Sequence, residues 1–172
     1  MQIVYAVFIL LLVTFGAVVM AIEILSSNLM SPYFGGSIYI WGSIISSFMV
    51  HFSVGYVAGG YLSRRFPRIS VLAAFLVGCS LWVLMIPVIY QPVCEFVSEN
   101  IIDVRLGSLI AMNVIFFVPI SIMAMVSPYI IGINTAWQRP SGFTAGMVLF
   151  ISTVGSFAGT NVTAFYLISL FP

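Results

Sequence analysis

Residues 3–24 read IVYAVFILLLVTFGAVVMAIEI, an apolar run whose one charge is the carboxylate of Glu23 near its end. As an α-helix such a run rises about 33 Å, enough to cross the ~30 Å hydrocarbon core of a bilayer. It has no basic residue ahead of it and is far longer than the ~7–15 apolar residues of a secretory signal, so it reads as a retained membrane helix.

The pattern recurs along the chain. Apolar spans are expected at Ser37 to Leu62, Ile69 to Tyr90, Gly107 to Met125 and Phe143 to Leu170. Of the 172 residues 62% are hydrophobic and only 5% are charged, where a soluble domain carries about 25%. With a mean hydropathy of +1.23, lipid must serve as solvent. The expectation is an all-α, polytopic bundle: one transmembrane domain over 1–172, about five transmembrane helices.

The connections have characters of their own. Ser26 to Gly36 is polar and rich in Pro and Gly, which marks a break. In Gln91 to Leu106, Val93, Phe96, Val97, Ile101 and Val104 fall near helical spacing, while Glu95, Glu99 and Asp103 recur every four residues on another face. That pattern predicts an amphipathic helix on the membrane surface. Ser127 and Pro128 interrupt the fourth span, predicting a broken helix to Ile133 before a polar turn from Asn134 to Ser141.

Charge placement sets the topology. Five spans put Arg64, Arg65, Arg68 and Arg139 on one side and the three clustered acids on the other, with Arg105 against the trend. The positive-inside rule then places the N-terminus in the cytoplasm; a re-entrant segment at Pro128 would flip the last span. With no organelle presequence visible, a bacterial inner membrane is the simplest location.

Several chemistries find no support. There is no lysine, and the formal charge of +1 offers no basic stripe for nucleic acid. Cys79, Cys94 and one histidine form no recognisable metal set. No nucleophile–base arrangement or phosphate loop is present, and the only acid cluster reads as a solvated face, so neither an enzyme nor a cofactor is expected.

What remains are packing and polar candidates. Gly55/Gly59, Gly142/Gly146 and Gly155/Gly159 are GxxxG pairs, and Ser43/Ser47 a small-xxx-small pair; they serve packing inside the bundle or an interface with another membrane subunit. Glu23 either reaches the headgroups or forms a polar site, with Tyr39, Trp41 and Asn113 as partners by depth. His51 is either an interhelical hydrogen-bonder or a proton or ligand group. Counting places it level with Ser121, Ser152 and Thr153, some 15 Å from Glu23. Ser127-Pro128 is either a harmless kink or the kind of helix break with which transporters hold substrates.

Four blocks carry a likeness. Glu23-Ile24 with Ser31-Pro32-Tyr33-Phe34-Gly35-Gly36-Ser37-Ile38-Tyr39-Ile40-Trp41-Gly42, then Gly55 to Arg65, Met125 to Pro128, and Gly142 to Gly146 with Ser152 to Thr160, resemble in order the membrane domain of the fused spermidine synthase-like proteins. In that family a transporter-like helical domain is joined to an aminopropyltransferase-like domain. The synthase half, with its glycine-rich nucleotide loop and acidic residues, has no counterpart among these residues, so no polyamine-binding residue carries over. The expectation is a non-enzymatic membrane subunit, contacting lipid and other protein subunits, that anchors or accompanies a partner of synthase-like kind. The alternative is a small-solute, polyamine-like transporter or half-transporter.

Overall fold

The computed structural model describes residues 2–137 and 142–170. Five long helices make it up: α1 (Gln2–Phe34), α2 (Ile38–Arg65), α3 (Ile69–Asn100), α4 (Val104–Trp137) and α5 (Gly142–Val162). A π-helical turn at Thr163–Leu167 carries α5 into a short α6 (Ile168–Leu170). Each of the five long helices is apolar and long enough to cross a membrane, and no strand occurs among the described residues. The chain is an all-α, multi-pass bundle.

The ends of α1, α3 and α4 differ from expectation. α1 runs through Pro32 and stops only at Gly35, whose φ of 81° is a left-handed turn that glycine adopts without steric penalty. The expected surface helix does not exist as a separate element. Residues 91–100 are the last turns of α3, which passes through Pro87 and Pro92. The reason is that α1 is extended at the same end. Cys94 and Val97 are buried, Cys94 against Met30 of α1, while Glu95 and Glu99 stay outside. Of the apolar stripe, Val97 is buried and Val93 and Ile101 are half-buried against protein, while Phe96 and Val104 stay exposed. Likewise α4 is not broken at Ser127-Pro128; it continues through Pro119 and Pro128 to Trp137, so the expected turn from Asn134 begins as helix. Arg139 lies outside the described residues.

α4 is the central helix, touching α1, α2, α3 and α5. Of its most apolar window 56% is buried, against 17% for α3 and α5, so α4 forms the core and α3 and α5 its flanks. Contacts fix the directions. Ser43 meets Ser108 and Gly59 meets Met125, so α2 and α4 run parallel. Gly155 meets Val13 and Gly159 meets Ala17, so α1 and α5 run parallel. Alternate helices therefore share a direction, as five successive crossings would require, and the Pro128 segment, where a re-entrant turn would flip the last span, is part of the continuous α4.

Two apolar clusters fill the interior. One gathers Met30, Ile44, Phe48, Cys94, Met112 and Phe116 toward the turns at 35–37 and 101–103. The other gathers Phe8, Leu12, Leu72, Tyr129, Ile133 and Val148 toward the opposite end. There Tyr129, itself fully buried, donates its hydroxyl to the carbonyls of Phe66 and Arg68, tying the α2–α3 connection to α4.

Candidate functional site

α2 carries a buried residue at every fourth position: Ser43, Ser47, His51, Gly55, Gly59 and Ser63. Residues four apart stack on one helix face, and all but His51 are small, so the α4 backbone comes close. A Cβ on Gly55 would overlap the Ser121 carbonyl, and one on Gly59 the Met125 carbonyl. Where the row is polar it is hydrogen-bonded. Ser108 of α4 donates to Ser43 at 2.9 Å; Asn113 donates to Ser47 at 3.3 Å, and its Oδ1 lies 3.0 Å from His51 Nε2. The His51 ring stands edge-on to Phe117 at 5.3 Å, and its Nδ1 has no hydrogen-bond partner.

Of the three polar candidates, the fold thus joins His51 with Asn113 and leaves Glu23 out. Glu23 is half-buried and makes no hydrogen bond or ion pair with any described residue. Of the partners expected for it, Asn113 bonds His51 and Ser47, the Tyr39 ring lies under the Arg105 guanidinium at 4.1 Å, and Trp41 is exposed. The expected 15 Å offset is also overturned. Val19 and Met20 share a cleft with Phe52, which puts Glu23 within about one helical turn of His51 in depth. The count failed because it ended α1 near Ile24.

The glycine pairs divide. Gly55 and Gly59 pack on α4, and Gly155 and Gly159 on the α1 backbone, with Gly16 returning the contact against Ser152 and Ser156. Gly142 and Gly146 have open space beside them. Two of the three pairs bind the bundle together; the pair at the start of α5 does not.

Prolines inside helices free carbonyls four residues earlier, and in a membrane those carbonyls need partners. Pro119 frees the Ile115 carbonyl, and Trp82 of α3 donates its indole N–H to it at 3.1 Å. Pro128 frees the Ala124 carbonyl, to which no described side chain donates. Ala124 lines a cleft of about 110 Å³ bounded by α1, α2, α4 and α5. Phe15, Val19 and Phe52 form its apolar wall, and Ser127, Ser152 and Ser156 its polar one. Ser156 is bonded to the Ser152 carbonyl, whereas the hydroxyls of Ser127 and Ser152 have no hydrogen bond to a described residue.

The sequence reading missed Trp82, Ser108, Tyr129 and the cleft. Only the four-residue row on α2 was there to be counted. The others depend on which helices touch, and a donor such as Trp82 has no signature until Pro119 lies opposite it. The cysteines, both buried and free, lie apart on α3: Cys79 faces the Pro119 carbonyl and Cys94 faces Met30. The chain matches no family model, no curated protein and no solved structure.

Proposed function

We propose that this chain is a non-catalytic integral membrane subunit, anchoring or accompanying another membrane protein in a bacterial inner membrane, with its N-terminus in the cytoplasm. One observation carries the reading. α5 is held by its Gly155/Gly159 face, and its opposite face carries Phe143, Met147, Phe150, Val154 and Phe157, all exposed, at alternating steps of four and three. That is the a/d spacing of a coiled-coil helix, a stripe on which a second helix could seat. The π-helical turn inserts one extra residue after this run, so Phe165, eight positions beyond Phe157, returns to the same stripe. The open Gly142/Gly146 pair lies at its start.

The orientation rests on Arg64, Arg65 and Arg68 at one end and Glu95, Glu99 and Asp103 at the other. The likeness of the four sequence blocks to the membrane domain of fused spermidine synthase-like proteins makes a synthase-like partner the first to look for. The test is purification of the native protein in mild detergent with identification of what travels with it. A stoichiometric companion, released by Phe150→Ala with Phe157→Ala while the helical content is kept, is the expected result. A lone monomer insensitive to these substitutions overturns the reading.

The cleft at Ser127 supports a second reading, passage of a small solute. Glu23 does not line it, and neither does any other charged residue, which weighs against a polyamine cation there. Uptake that survives Glu23→Gln but fails on filling the cleft would bring this reading to the front.

A further inference from the structure

The cleft lies where the two apolar clusters meet. Leu12 and Val126 belong to one cluster, Val19 and Met123 to the other, and all four line it. It falls near the midpoint of each of its four helices. Close packing is the rule in protein interiors, so a gap at this junction, among five well-packed helices, is itself a feature.

Its chemistry is mixed in a definite way. The unbonded hydroxyls of Ser127 and Ser152 come from α4 and α5, and the Ala124 carbonyl has lost its usual donor to Pro128. Pro119, one helical segment away, has its freed carbonyl met by Trp82; at Pro128 the polar groups converge on empty space instead. Two donors and several acceptors in hydrocarbon call for a partner with hydrogen-bonding capacity. With no charged residue in the lining, an ionised ligand would carry an uncompensated charge to mid-membrane. For scale, a cavity of about 150 Å³ holds benzene, so the smaller 110 Å³ suits a short chain with one polar head.

We infer that the cleft is a binding site for a small uncharged amphiphile, a hydroxyl- or carbonyl-bearing molecule that enters from the bilayer, its apolar body against Phe15, Val19 and Phe52 and its polar group at Ser127 and Ser152. This holds whether the chain is a subunit or a carrier, because it concerns occupancy alone.

Two photoreactive probes test it on the full chain in lipid nanodiscs: a six-carbon alcohol bearing a diazirine, and the diazirine alkane of the same length. The alcohol is expected to label 12–20, 123–127 and 152–156, and excess n-butanol to suppress those adducts. Ser127→Ala with Ser152→Ala should weaken alcohol labelling about tenfold, the effect of two neutral hydrogen bonds, and leave alkane labelling unchanged. Two outcomes overturn the inference: alcohol adducts confined to exposed residues such as Leu10 and Phe150, or equal labelling of the cleft by both probes with no effect of n-butanol. The competition arm uses the unaltered chain, so a misfolded double variant would not remove the test.

Discussion

At the scale of single residues, the bundle treats its polar groups in two ways. Asn113 is spent on both Ser47 and His51, and Trp82 on the carbonyl that Pro119 frees. Interhelical hydrogen bonds in membrane proteins average about 0.6 kcal/mol and reach about 1.7 kcal/mol. Asn113→Leu, which breaks two bonds and strands both ring nitrogens of His51, should therefore cost about 1–2 kcal/mol in reversible unfolding from mixed micelles. Trp82→Phe should cost about 0.5–1.5 kcal/mol by the same measurement. An unchanged midpoint for Asn113→Leu would mean the seam adds nothing to stability. Glu23 is different: with no partner among the described residues, Glu23→Gln should leave the melt within about 0.5 kcal/mol of the parent.

Among the elements, the parallel α1–α5 pair gives the sharpest test. Gly155 and Gly159 admit the α1 backbone at Val13 and Ala17, so a larger side chain meets main chain, which cannot swing aside. Gly155→Leu is expected to destabilise by about 1–3 kcal/mol or more and to detach α5, read as new protease sensitivity between α4 and α5. Gly146→Leu should leave the monomer's stability alone, since a Cβ there meets nothing. The existence of these helices was legible in the sequence, because an apolar run as long as Ile3–Ile24 satisfies its own backbone in lipid by forming a helix. The ends of α1, α3 and α4 were not. Pro32, Pro87, Pro92 and Pro128 all lie inside helices, where neighbouring helices and local adjustment compensate the lost hydrogen bonds; a rule learned on exposed helices stops each of them too early. The pairing of His51 with Asn113 was hidden for a related reason. Assigning depth needs the true end of α1, which Gly35 sets and Pro32 does not.

For the molecule as a whole, charge and exposure describe how it sits in a membrane and what it can meet there. Arg64, Arg65 and Arg68 mark one end, and Glu95, Glu99 and Asp103 the other. In a Cys79→Ala, Cys94→Ala background, Arg65→Cys should react with an impermeant maleimide only after the inner membrane is opened, and Asp103→Cys without opening it; the reverse pattern would invert the proposed orientation. The parallel pairing of α1 with α5 also bears on synthesis. α1 enters the membrane with its Gly16 face bare, and its mate follows roughly 140 residues later, a delay on the order of 10–30 s at usual translation rates. During that interval the Gly16 face lacks α5, and a chain truncated before Gly155 leaves it uncovered for good.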